Sequence, residues 1–258
     1  MRNLYDIRIL ILFFTLHIFF WTGCTPKDVA LGPNFSAIDS HTRRIAIVTP
    51  ELRSFEISGG GIPECRVDWS RSAARNLSMT LKEELKSKQF EGILISEKEN
   101  NFDLDTIRSF VQLNAYAIQS HLYGEYYFKP QLDTFDYSIG SLAGLCKEIT
   151  ADAIVFIFGS NEKFSRQRVE TLQKMARVKT ARSALGGTLS MILTGYGSFR
   201  TYQIPKERTW LYCVVADRQG RIIWYEQCHK ADGSDLLKVN DARMFAKTII
   251  NGLRLKVE

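Results

Sequence analysis

Ala153-Ile154-Val155-Phe156-Ile157-Phe158 decides the fold. Every position after the alanine is Ile, Val or Phe, residues that favour strands. A run this short, apolar at odd and even positions alike, reads as a strand buried on both faces, and therefore a central one. Upstream, Leu142, Leu145, Cys146 and Ile149 recur at helical spacing, which predicts a helix opening at Ser138. Downstream, a long basic helix is expected from about Ser165 to Leu185, followed by an apolar, glycine-containing stretch from Gly186 to Gly197.

The remaining elements alternate around this strand. Arg44-Ile45-Ala46-Ile47-Val48 reads as a buried strand stopped by Pro50, and Leu52 to Ile57 as its continuation. Gly59-Gly60-Gly61 with Pro63 breaks the chain. A helix capped by Asp68 runs to about Lys88, with Trp69, Ala73, Leu77, Leu81 and Leu85 inward. Gly92 to Ser96 is a short strand. A helix capped by Asp103 or Asp105 follows, with Ile107, Phe110, Val111, Ile118 and Leu122 inward. Trp210 to Ala216 and Arg221 to Cys228 form a hairpin across the type I turn Asp217-Arg218-Gln219-Gly220. Ser234 or Asp235 caps a last helix, with Ala242, Phe245, Ala246, Ile249 and Leu253 on one face. The expected fold class is α/β: a mixed sheet, with a parallel core plus a C-terminal antiparallel hairpin, flanked by helices.

The amino-terminal residues carry an address. Arg2 and Arg8 precede an apolar stretch from Ile9 to Thr22, and Trp21-Thr22-Gly23-Cys24 closes it. A positive start, an apolar middle and a small residue at the cut are the layout of a secretory signal peptide. A cysteine directly after the small residue looks like a bacterial lipobox, in which Cys24 takes a diacylglycerol and, after cleavage, an amide-linked acyl chain such as palmitate. The apolar stretch is about fourteen residues, short of the roughly twenty that span a bilayer. The expected organisation is therefore a signal peptide over 1–23, a lipidated tether over 24–41 and one α/β domain over 42–258, with insertions near 123–137 and 163–207. Thr25 is not an aspartate, so the resemblance to proteobacterial lipoproteins implies the outer membrane, facing the periplasm.

Without the signal peptide the net charge falls from +6 to +5, through loss of Arg2, Asp6 and Arg8. Cys65, Cys146, Cys213 and Cys228 form no C-x-x-C, and their pairing stays open. Residues with catalytic or metal-binding spacing are not apparent. Ser141 in Gly140-Ser141-Leu142-Ala143-Gly144 sits one place too early for a nucleophile elbow. His41, His121 and His229 share no ligand spacing. The triple glycine lacks the ending of a phosphate loop. Asp103 and Asp105 sit where a helix dipole favours carboxylates. No catalytic residue, cofactor or metal ligand is therefore assigned.

Two surfaces remain as partner candidates. In the basic stretch, Lys163, Arg166, Arg168, Lys174, Arg177, Lys179 and Arg182 face only Glu170. Arg166, Lys174 and Arg177 share one side and Arg168, Lys179 and Arg182 another, so the charge wraps the helix, which is either a solvated surface or a contact for anionic headgroups or an acidic partner. The aromatic cluster includes Tyr123, Tyr126, Tyr127 and Phe128, followed by Phe135 and Tyr137. Such rings supply contact area at low entropic cost.

Ile45-Ala46-Ile47-Val48-Thr49-Pro50, the helix around Leu77, Leu81 and Leu85, Ile149-Thr150-Ala151-Asp152-Ala153-Ile154-Val155 and the hairpin Leu211 to Trp224 together resemble the envelope lipoproteins with a TolB-amino-terminal-like α/β domain. That group includes the curli-secretion lipoprotein and the lipoprotein activators of penicillin-binding proteins. The resemblance covers about half the mature chain and implies a fold, with no catalytic residues to carry over. The expected function is a lipid-anchored, non-enzymatic binding or accessory module for another envelope component, a protein partner, with no role for nucleic acid. The alternative is a ring-forming subunit of an outer-membrane secretion or export system, in which the Gly186–Gly197 stretch would contribute a membrane-inserted or oligomer-lining element. An envelope hydrolase is disfavoured, because no nucleophile in the sequence stands at a recognisable spacing from a base.

Overall fold

Strand β5 is twice as long as its apolar run: it extends over Ala153–Phe164, and the rest of the sheet is organised along it. The computed structural model describes residues 43–95, 102–123, 130, 134–194, 206–231 and 234–252. In chain order these form β1 (Arg44–Val48), β2 (Glu51–Ile57), β3 (Pro63–Cys65), α1 (Val67–Ser87), β4 (Glu91–Ile95), α2 (Leu104–Tyr123), α3 (Ala143–Glu148), β5, α4 (Arg166–Thr194), β6 (Glu207–Asp217), β7 (Ile222–Ala231) and α5 (Val239–Gly252). The fold is mixed α/β.

β1 and β2 line up end to end along one edge of β5. Ile45–Ile47 pair in parallel with Ala153–Val155, and Glu51–Ile57 with Phe158–Phe164. The register slips by one residue between the two stretches, a bulge that contains Thr49 and Pro50. Proline has no N–H for a ladder, so a bulge is where a paired strand tolerates it. The other edge of β5 pairs antiparallel with β6, which pairs with β7. β4 adds in parallel to β1, and β3 antiparallel to β2.

Alternation divides the core between the two faces. Ile45, Ile47, Val155 and Ile157 pack with Leu77, Leu81 and Leu85 of α1 and Phe245 and Ile249 of α5. Ala46, Val48, Ile154 and Phe156 pack with Val111, Ala115 and Ile118 of α2 and Leu145 of α3. Helices on both sides are why the Ala153–Phe158 run shows no polar alternation. Asp152 fixes where β1 begins: its carboxylate accepts the Arg43 and Arg44 N–H groups, both at 2.9 Å, and a bond from the Arg218 guanidinium at 2.5 Å. One side chain thus ties β1, β5 and the β6–β7 turn together. In that turn Gly220 has φ +77° and donates to Asp217 O at 2.9 Å, a type I turn closed by a glycine bulge.

Several sequence expectations are corrected. Asp68 lies in the first turn of α1 and does not cap it; the cap position is Arg66, which makes no side-chain cap bond. Asp103 does cap α2: its carboxylate accepts the Thr106 hydroxyl at 2.5 Å and the Thr106 N–H at 3.1 Å, and these bonds, the hydroxyl's first, hold its pKa below the usual carboxylate value. Phe110 is 50 % exposed, because the buried face of α2 runs Val111, Ala115, Ile118, one position further round. Ser138 starts no helix; it bridges Arg221, and α3 begins at Ala143. The Gly59–Gly61 turn leads into β3. The Gly186–Gly197 stretch is not a separate segment, since α4 continues through Gly186 and Gly187 to Thr194. Two interior glycines cost a helix only about 1 kcal/mol each. Ser234 and Asp235 precede α5 by a turn in which Leu237 N donates to Asp235 Oδ1 at 3.0 Å. Trp69, expected inward, is half-buried beneath the Arg66 guanidinium, 4.6 Å from the ring centroid. Cys65, Cys146, Cys213 and Cys228 are free thiols.

Candidate functional site

Past Phe158 the two faces of the sheet diverge. One stays buried and turns polar, with Ser54, Asn161 and Thr209 fully enclosed. Thr209 Oγ1 lies 2.9 Å from Asn161 Oδ1 and donates to Ser234 O at 2.7 Å. Beside them Lys163 reaches Asp235 at 2.9 Å, the carboxylate side chain 2 % exposed. Lys163 therefore belongs to the sheet and not to the basic helix. The bond from Asp235 holds the Lys163 ammonium above its ordinary pKa, against the opposing pull of burial. Burial raises Glu207 nearby, and the Asp235 charge adds to that shift.

A raised lysine contributes stability that is complete below its unfolded value of 10.5 and fades as pH climbs through the folded value. Asp235→Asn is expected to cost about 1–2 kcal/mol at neutral pH and to remove that alkaline fade. The lysine keeps 38 % exposure, so solvent screens part of the pair. Urea denaturation at about pH 7 and about pH 11 checks both halves.

The opposite face forms an open groove of about 480 Å³. The ladder registers align two cross-strand rows on its floor. The first is Glu51, Phe158, Tyr212 and Gln227, and the second is Arg53, Ser160, Trp210 and His229. Phe158 and Tyr212 stack with centroids 5.3 Å apart at 17°, and Trp210 and His229 at 4.9 Å and 9°. Gln112, Tyr116 and Gln119, spaced along α2, form a wall. Gln112 Nε2 donates to Glu51 Oε2 at 2.7 Å and fixes that carboxylate. The groove thus presents π faces, amides that both donate and accept, and one charge of each sign.

None of the groove residues was singled out in the sequence as functional. The signal available was the alternation in β6, where Trp210 and Tyr212 flank the buried Leu211. Of the predicted partner residues, Arg166, Lys174 and Arg177 are exposed on α4, Arg166 in an ion pair with Glu170 at 3.0 Å. Ser165 starts this helix, its hydroxyl accepting the Arg168 N–H at 3.2 Å. Tyr123 is the last residue of α2, whereas Tyr126, Tyr127 and Phe128 lie outside the described residues, as does Cys24. Phe135 and Tyr137, expected as part of the aromatic surface, are buried in the core. Tyr137 Oη bonds His121 Nδ1 at 2.7 Å, while His229 stacks on Trp210, so these two histidines have separate structural contacts. Among the described residues no helix is long and apolar enough to cross a membrane.

No protein-family model matches this chain. No curated protein matches it. Among solved structures it is similar to the crystal structure of the lipoprotein GNA1162 from Neisseria meningitidis, at 15 % identity and a TM-score of 0.30, over 81 % of this chain and 96 % of that one.

Proposed function

We propose that the chain is a lipid-anchored, non-catalytic binding module of the bacterial cell envelope, a member of the TolB-amino-terminal-like group held in the outer membrane and facing the periplasm. The observation that carries this reading is the groove, a concave site with a few placed polar groups among aromatic rings, the usual make-up of a recognition site. The chain enters the domain at Arg43 and Arg44, clamped by Asp152 at the start of β5. The groove lies over the middle of β5, at Phe158 to Ser160, and α4 starts beyond the strand's far end. The groove is the surface that this domain would offer to another envelope component.

Replacing Cys24 with alanine removes the proposed lipid attachment. The variant is expected to leave the membrane pellet and appear in the soluble periplasmic fraction, while wild type needs detergent to be extracted. A variant that still pellets with membranes and resists detergent-free extraction would show that something other than this lipid anchors the chain.

A further inference from the structure

We propose that the slot between Arg53 and Trp210 receives a neutral pyranose ring of an envelope glycan. This deepens the binding-module reading and rests on it. Arg53, Ser160 and Trp210 are consecutive members of one cross-strand row, so two inter-strand spacings, about 9.6 Å, separate the outer two. Ser160 between them is short and leaves the space above it open. One face of the Trp210 indole is spent on His229, 4.9 Å away and nearly parallel. The other face looks across Ser160 toward Arg53. A flat ring in van der Waals contact with both sides needs about 7 Å, so the slot is one ring thick.

The surroundings select the ring. Glu51 and Arg53 stand side by side on the groove floor. An anion would meet the carboxylate and a cation the guanidinium, so a neutral ligand fits best. Gln112, Gln119 and Gln227 line the groove around the slot and offer both donors and acceptors. A wholly apolar ligand would leave these amides desolvated and unpaired. A pyranose answers both demands. Its axial C–H groups carry slight positive charge and suit the negative face of the indole. Its equatorial hydroxyls point outward, toward the amides and Glu51.

The test is calorimetric titration of the detergent-extracted full mature protein with neutral tetrasaccharides of glucose, galactose and N-acetylglucosamine, and with a blocked tetrapeptide. At least one saccharide is expected to saturate a site. Trp210→Ala and, independently, Ser160→Phe, which fills the slot, are each expected to weaken it at least tenfold, with the circular dichroism spectrum unchanged. Trp210→Phe is expected to keep most of the affinity. If no saccharide binds at millimolar concentration, or binding survives both slot variants, the assignment is overturned. If the peptide alone binds and the slot variants abolish it, the saccharide falls and the binding module stands. If neither class binds and the Cys24→Ala protein stays in the membrane, the binding-module reading falls with it.

Discussion

Gly159→Ala is expected to destabilise the domain by about 3 kcal/mol or more, the upper range for forcing atoms into a packed site. For a domain of this size that corresponds to a fall in melting temperature of roughly 6–12 °C. The cause is a close approach between backbones. A Cβ at Gly159 would sit 2.0 Å from Trp210 O and 3.0 Å from the Leu211 Cα. Both are main-chain atoms of β6, so no rotamer change relieves the contact. Nor is β5 free to move away. It is paired with β6 from Ala153 to Lys163, and with β2 along its other edge from Phe158 to Phe164. Relief therefore requires local separation of the strands, at the further cost of ladder hydrogen bonds worth about 1 kcal/mol each. Gly60 supplies the control, because a Cβ there meets nothing within 4 Å. Gly60→Ala is expected to change stability by less than about 1 kcal/mol. Thermal and urea denaturation of the two variants decide the matter. A Gly159→Ala protein as stable as wild type would mean that β5 and β6 do not approach so closely.

The same residue shows what the sequence conveyed and what it did not. Ala153 to Phe158 announced the centre of the sheet, because burial on both faces leaves a continuous apolar run that a local reading detects. The strand continues for six further residues, Gly159-Ser160-Asn161-Glu162-Lys163-Phe164, which look like loop. They are polar because one face opens into the groove and the other meets an enclosed polar cluster. Both conditions arise from residues far away in the chain. Asp235 reaches Lys163 across 72 positions, and Arg53 meets Trp210 only through the registers of β2, β5 and β6. No window of sequence contains that row. The helices fared better where the apolar stripe was regular, as in Leu77, Leu81 and Leu85, each fully buried. The reading slipped at Phe110, where a large apolar side chain lies one position off the buried face. It slipped again at Gly186, where glycine read as a break sits inside a helix that absorbs its modest cost. The basic surface of α4 was legible because its charges are local in sequence. The groove was not, because pairing assembles it from distant strands.

Phe245→Ala is expected to cost about 4 kcal/mol, within the range for emptying a phenylalanine site in a packed core. Phe245 is fully buried in the cluster that joins α1 and α5 to the sheet. Its helix is held by more than apolar contact. Asn76 of α1 donates to Leu236 O at 3.1 Å and Leu237 O at 3.0 Å, and Arg243 bonds Glu83 at 2.8 Å. Those bonds keep α5 in place when the ring is removed, so the site cannot collapse and the cavity term is expected in full. The Lys230 ammonium, 5.4 Å from the ring centroid, loses its π partner as well. Phe245→Leu keeps most of the volume and is expected to cost only about 1–1.5 kcal/mol. Urea denaturation should show a lower midpoint with an unchanged slope, because the surface exposed on unfolding stays nearly the same. A loss under about 1 kcal/mol for the alanine variant would place α5 outside the cooperative unit, leaving that face of the sheet to α1 alone. Leu81→Ala empties the same cluster from α1. Combined with Phe245→Ala, it is expected to depart from the sum of the two single losses by roughly 0.5–1 kcal/mol, the coupling usual for residues that share one packed cluster.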